Sequence, residues 1–209
     1  MAENNLRYLI GISGPPGAGK TALVQGLSAA MHDTTTIHMD SYQRMVQPFP
    51  EQVQRWLRQE AGIGEFQIPQ LSEDLATLRS GAPVAEPGTG AEIPPRKYIL
   101  FETRYGRAHR ATGRDIDLLI CIDTPLDVAL ARNLRTAVAT SLRDAKTRSL
   151  EECVRDLHDY LDQYPDTMRA LTISEKNRVA ADADLVVDGL LPIPQLIEVT
   201  KLEILRRLP

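Results

Sequence analysis

The sequence predicts a three-layer α/β fold, a parallel five-stranded sheet with helices on both faces, and three observations predict it. Five short apolar or β-branched runs, at 8–12, 33–39, 98–101, 118–122 and 184–187, have strand length. Stretches with helical spacing separate them, the alternation that a parallel sheet needs. Between the first run and the first helix lies Ser13-Gly14-Pro15-Pro16-Gly17-Ala18-Gly19-Lys20-Thr21, which fits G-x-x-x-x-G-K-[ST] in the strand-to-helix setting that motif requires.

Taking the elements in order, Tyr8-Leu9-Ile10-Gly11-Ile12 is a buried strand and Ala22 to Ala30 a helix, with Leu23, Leu27 and Ala30 on one face. In the loop between them, glycines let backbone N–H groups close around phosphate oxygens without Cβ interference, and the dipole of the next helix adds positive potential. The residues from Gly14 through Pro15, Pro16, Gly17, Ala18 and Gly19 to Lys20 and Thr21 therefore form a candidate nucleotide cradle. Lys20 would reach the β- and γ-phosphates, and the Thr21 hydroxyl would be a Mg²⁺ ligand. Chance would produce the pattern in fewer than about 1 in 100 chains of this length, so a plain Gly/Pro turn is the weaker reading.

The second strand ends at Asp40-Ser41-Tyr42-Gln43-Arg44, and side chains just past a parallel strand's carboxyl end face the ligand crevice. Asp40 is thereby placed for chemistry; the plainer alternative is an Asp that caps a turn. His38, a lone histidine without spaced partners, reads as structural rather than as a metal ligand. An insertion follows at about 45–96. It holds a short helix over 51–60 with Val53, Trp56 and Leu57 on one face, a helix begun by Ser72-Glu73-Asp74 that stops near Gly81, and a Pro/Gly-rich loop over 82–95. Its position between the second and third strands makes it a candidate substrate-side flap.

The third strand, 98–101, delivers Glu102 to its carboxyl end, where it is either metal-associated or held in a structural ion pair. The basic stretch after it contains Arg104, Arg107, His109, Arg110 and Arg114. It is a solvated helix face, or Arg104 and Arg107 meet an anionic group of the substrate. The fourth strand runs to Asp123-Thr124-Pro125, where Thr124 is a candidate N-cap and Pro125 suits the first helical position. That helix carries Arg132 and Arg135 on adjoining faces. Ser149 opens another, with Leu150, Val154, Leu157 and Leu161 as an expected buried stripe, and Pro165 interrupts it. A fifth strand at 184–187 and a last helix near 194–208 complete the pattern.

At 209 residues with 43% hydrophobic content, one domain with a sizeable core is expected. A net charge of −4 argues against non-specific nucleic-acid binding. Cys121 and Cys153 make no disulfide framework, and Cys121 in its apolar run reads as a buried small hydrophobe. The first residues lack a secretory pattern and no apolar run reaches the ~18 residues of a membrane span, so a cytoplasmic protein without a membrane partner is expected. A homo-oligomer stays open.

Several of these residues together resemble the uridine kinase-like family, related to phosphoribulokinase. They are the P-loop, Asp40-Ser41-Tyr42-x-Arg44, Leu100-Phe101-Glu102, Ile122-Asp123-Thr124, the helix with Arg132 and Arg135, and Ala183 to Val187, in this order over nearly the whole chain. The resemblance implies a P-loop NTPase fold with strand order 2-3-1-4-5 and a small-molecule kinase using ATP and Mg²⁺. It also implies an arginine-bearing lid at about 132–149. By that resemblance Asp40 matches the catalytic acid, Glu102 the metal-associated carboxylate, and Arg132 with Arg135 the lid arginines, while Tyr42, Arg44, Glu102, Arg104 and Arg107 are candidates on the acceptor side. The family's nucleoside kinases have an aromatic where Gln43 stands and Gly where Thr103 stands, so uridine does not follow as the acceptor, and the expected acceptor is a hydroxyl of a small metabolite, nucleoside-like, sugar-like or similar. A nucleotide-dependent regulatory ATPase and a nucleoside monophosphate kinase are the alternatives.

Overall fold

The computed structural model describes residues 6–43, 68–143 and 149–209. The expected helix at 51–60 and Arg44 lie outside these residues, as does the 144–148 part of the expected lid. In chain order come β1 (Tyr8–Ser13), α1 (Lys20–Ala30), β2 (Thr34–His38), α2 (Met39–Gln43), α3 (Pro69–Ser80), β3 (Val84–Ala85), β4 (Glu92–Ile93) and β5 (Tyr98–Glu102). After these follow α4 (Arg110–Gly113), β6 (Leu118–Asp123), α5 (Leu126–Arg143), α6 (Leu150–Gln163), α7 (Arg169–Asp182), β7 (Leu185–Asp188) and α8 (Ile193–Arg207).

The five long strands pair in parallel in the order β2-β5-β1-β6-β7, the order that the resemblance implies. Both faces are covered, which is why β1, β5 and β6 read as nearly continuous apolar runs instead of alternating. Successive residues still part company. Leu9, Ile99, Phe101 and Leu119 join Leu71, Leu75, Leu78 and Val179 in the core under α3 and α7. Their neighbours Ile10, Ile12, Leu100 and Ile120 pack with Leu23, Val24 and Leu27 of α1 and with Leu196 and Ile204 of α8 on the other face. Each such fully buried side chain contributes roughly 1.5–3 kcal/mol. Cys121 is fully buried in this sheet as expected, and burial pushes its thiol up to about 11. At the opposite end of the sheet from the carboxyl termini, the hydroxyl of Tyr98, first residue of β5, donates to the Leu208 carbonyl at 3.1 Å.

Four expectations are corrected. α3 begins at Pro69, not at Ser72; a proline in the first turn has no amide to leave unpaired, and the Ser72 hydroxyl turns back to the Ile68 carbonyl. The 82–95 stretch contains the two-stranded hairpin β3–β4. Thr124 does not cap α5, because its hydroxyl donates to the Ala18 carbonyl at 3.3 Å. The stripe on α6 is not buried: Leu150, Val154 and Leu161 are 64%, 57% and 41% exposed, because α6 packs beside α5 and away from the sheet. The Ser149 start of α6 stands, as a full capping box with Glu152. Pro165 does interrupt this helix, but only by one wide turn at Tyr164–Met168, after which α7 continues. Among the described residues no helix is long and apolar enough to cross a membrane.

Candidate active site

The loop from Gly14 to Gly19 joins β1 to α1 at the carboxyl end of the sheet. Gly17 and Gly19 have φ of 80° and 102°, the left-handed region that glycine enters without strain. A Cβ on Gly17 would lie 1.9 Å from the Ala129 carbonyl oxygen, so the loop seats directly against the α5 backbone. α1 starts at Lys20 with no side-chain cap, which leaves its first-turn amides for an anion. The Lys20 ammonium donates to the carbonyls of Gly14 at 3.0 Å and Pro15 at 3.1 Å, curling back over the loop. Burial lowers its pKa, against the opposing pull of Glu102 and Asp40.

Parallel register brings the acidic groups to the same edge. Ile12, Glu102 and His38 are partners across β1, β5 and β2, so the side chains that follow β1 and those that end β5 and β2 converge. The Thr21 hydroxyl donates to Glu102 Oε1 at 2.7 Å, and His38 Nδ1 lies 2.6 Å from Glu102 Oε2. Burial on its own would raise the Glu102 pKa, but the hydrogen bonds from His38 and Thr21 and the Lys20 charge together bring it below its ordinary value. His38 is raised, chiefly by its hydrogen bond to Glu102. The expectation that His38 is structural rather than a metal ligand meets a definite partner here, because the register across β2 and β5 sets its ring against Glu102. Asp40, first turn of α2, is exposed to the same cavity.

Thr21 Oγ and Glu102 Oε1 are two hard oxygen donors at one point beside Lys20, which fits Mg²⁺. Among the described residues no cluster of three His, Cys, Asp or Glu could hold a metal alone. Two protein oxygens suit an ion that keeps waters and takes its remaining ligands from phosphates.

These acids share a cavity of about 890 Å³ that is lined by Lys20, Asp40, Glu102, Arg104, Arg132 and Arg135, among others. Arg132 also donates to the Gly189 carbonyl at 3.0 Å, which ties α5 to the loop after β7. Arg104 Nε donates to Glu175 Oε2 at 2.8 Å. Two candidates are placed elsewhere. Tyr42 is buried with its hydroxyl donating to Asp74 Oδ2 at 2.7 Å. Arg107 donates to Asp184 Oδ2 at 2.6 Å and to the Ile116 and Asp182 carbonyls, a structural clamp. Sequence reasoning missed Glu175 and Lys176, both on α7; Lys176 Nζ lies 2.5 Å from Asp123 Oδ1. The signal was the helical spacing of Leu171, Glu175 and Val179, concealed behind Pro165.

No family model matches the chain. The uridine kinase of Borreliella burgdorferi is 26% identical over 171 residues, covering 77% of this chain and 76% of that one. The uridine kinase of Borrelia garinii subsp. bavariensis matches to the same extent. Among solved structures, a protein described as a candidate fructose transport system kinase from Silicibacter sp. TM1040 has a TM-score of 0.52 at 17% identity, with 90% of this chain and 92% of that one covered. A gluconokinase from Sinorhizobium meliloti 1021 has a TM-score of 0.51 at 10% identity, with 97% and 94% covered. At those identities the two structures show the fold alone.

Proposed function

We propose that this chain, a phosphotransferase with an alcohol acceptor and a relative of the uridine kinases, moves the γ-phosphoryl group of ATP onto a hydroxyl of a small metabolite. One observation carries the reading: a single cavity gathers the loop lysine, a strand-end carboxylate pair and two helix arginines. Transfer of this kind passes through a loose transition state, so alignment and charge compensation supply most of the rate.

The loop amides and Lys20 hold the β- and γ-phosphates. Thr21 and Glu102 would hold Mg²⁺, which when bound neutralises phosphate charge. His38 keeps the Glu102 carboxylate turned toward Thr21. Asp40 accepts a hydrogen bond from the acceptor hydroxyl. As the acceptor oxygen bonds to the γ-phosphorus and the bond to the β–γ bridging oxygen breaks, that hydroxyl proton passes to Asp40 and ADP leaves. Arg132 and Arg135 offset the charge growing on the leaving oxygen. A reducing, cytoplasmic setting suits the two free cysteines.

The test combines calorimetry with MgATP and an acceptor screen read by mass spectrometry for the gain of one phosphoryl group. Binding of MgATP and a phosphorylated alcohol support the reading. ATP hydrolysis that no acceptor alters and a protein partner stimulates would refute it in favour of a regulatory ATPase. Phosphorylation of monophosphates on their phosphate oxygen would refute it in favour of a monophosphate kinase.

A further inference from the structure

α2 is five residues long, too short to hold a helical form on its own, so what its core side touches decides how it sits. That side consists of Met39 and Tyr42, three positions apart and 1% and 2% exposed, packed with Leu71, Leu75 and Leu78 of α3. Asp40 is exposed and lines the cavity. At 3.6 residues per turn, two positions along a helix carry a side chain through about 200°, so Asp40 and Tyr42 leave α2 on nearly opposite sides. Whatever fixes Tyr42 therefore aims Asp40.

Tyr42 is fixed by more than packing. Its hydroxyl donates to Asp74 Oδ2 at 2.7 Å, and Gln70 Nε2, one turn earlier on α3, donates to Asp74 Oδ1 at 2.8 Å. Asp74 stands in the middle of α3 and is 7% exposed. Burial and the bond to Asp74 keep the Tyr42 hydroxyl protonated well above its ordinary range, which makes it a constant donor.

Filling this part of the core does not require these polar atoms. Replacing both partners of a buried hydrogen bond by apolar groups of the same shape is nearly neutral for stability, so a phenylalanine against a leucine would serve. Apolar contact, however, has no preferred direction, whereas a hydrogen bond weakens steeply as it bends. The bond thus gives α2 a defined rotation that its two apolar contacts alone do not. Its fixed end is α3, which Leu71, Leu75 and Leu78 seat in the core under the sheet.

We infer that Asp74 is a positioning residue of the transfer: acting through the Tyr42 hydroxyl, it sets the rotation of α2 and so aims the Asp40 carboxylate at the acceptor hydroxyl. The inference rests on the kinase reading above and on the place of Asp40 in it. An Asp carboxylate ends about 5 Å from the axis of its helix, so a rotation of about 12° displaces it by about 1 Å. An error of that size in a reacting group costs up to about 10²-fold in rate.

The full-length chain is assayed with MgATP against pentoses, hexoses, nucleosides and amino alcohols, and kcat and KM of each variant are measured on the member that the wild type phosphorylates fastest. Tyr42→Phe keeps the ring and deletes the hydroxyl; it should lower kcat about tenfold or more while the calorimetric affinity for MgATP stays within about twofold. Asp74→Asn keeps an oxygen that accepts from Tyr42 and should hold kcat within about threefold of wild type, whereas Asp74→Leu should fall as far as Tyr42→Phe. The deciding measurement combines two changes. In an Asp40→Asn background, adding Tyr42→Phe should lower kcat no further, because the bond acts through Asp40 alone. Thermal unfolding of every variant is followed alongside. A bond that only ties α2 to α3 would lower the unfolding midpoint and leave kcat of Tyr42→Phe and Asp74→Leu near wild type at temperatures below it. That result overturns the inference, as do an equal loss of kcat in both backgrounds and equal kcat values for Asp74→Asn and Asp74→Leu. In each of those cases the wild type still phosphorylates an alcohol, and the kinase reading stands. A wild type that phosphorylates no alcohol refutes the kinase reading, and the inference falls with it.

Discussion

Replacing Gly17 by alanine, with Gly19→Ala as its control, tests whether the loop is seated on α5 as described. Both glycines have left-handed φ, and an L residue there costs roughly 1–2 kcal/mol. Only one of them is crowded. A Cβ on Gly17 would sit 1.9 Å from the Ala129 oxygen and 3.0 Å from the Asn133 nitrogen, both backbone atoms that cannot turn aside, whereas one on Gly19 would meet nothing within 4 Å. Relieving the first contact requires α5 or the loop to shift, an overpacking cost of roughly 1–3 kcal/mol. The dihedral cost is common to both variants and cancels in their difference. Gly17→Ala should therefore be less stable than Gly19→Ala by roughly 1–3 kcal/mol, or about 2–12 °C in unfolding midpoint for a chain of this size. Differential scanning calorimetry of the two variants, supported by urea titration, measures it. Midpoints that agree within about 1 °C would show that the loop does not rest on Ala129.

Three further outcomes are expected. Asp40→Asn should lower kcat by about 10² or more while the calorimetric affinity for MgATP stays near wild type, and unchanged turnover would remove Asp40 from the proton path. Because the His38 pKa is raised in the fold, its contribution to stability is present below its ordinary value of 6.5 and lost as pH rises through the folded value; that of Glu102, whose pKa is lowered, is present above 4.5 and lost as pH falls through its folded value. As pH rises above about 6.5 the wild-type urea midpoint should accordingly fall more steeply than that of His38→Gln, and parallel profiles would contradict the His38–Glu102 pair. Arg107→Ala should cost about 1–3 kcal/mol in urea unfolding and leave KM for the acceptor unaltered; a large KM change with no loss of stability would return Arg107 to the substrate side.

The parts legible in the sequence were those where local pattern and fold requirement coincide. Strands buried on both faces have to be apolar throughout, so 8–12, 98–101 and 118–122 declare themselves, and the glycine loop has a spacing that little else produces. Placing Asp40 and Glu102 at strand ends followed directly. The misses have a common cause, since each depends on which distant segment supplies a partner. The role of His38 is decided by β5 lying beside β2, a matter of register. Glu175 is decided by α7 crossing back to the carboxyl edge, and Pro165 obscured the existence of that helix. The apolar spacing of Leu150, Val154 and Leu161 signals an amphipathic helix correctly but says nothing about whether another layer will cover it.

The bond from the Tyr98 hydroxyl to the Leu208 carbonyl clasps the tail of α8 at the amino edge of the sheet, while the nucleotide loop opens at the other edge. Any peptide continued beyond Leu208 therefore departs from the far pole of the molecule. A fluorophore, affinity handle or surface tether attached there leaves the mouth of the cavity facing solution, which makes that attachment the natural one for surface-based measurements of nucleotide and acceptor binding.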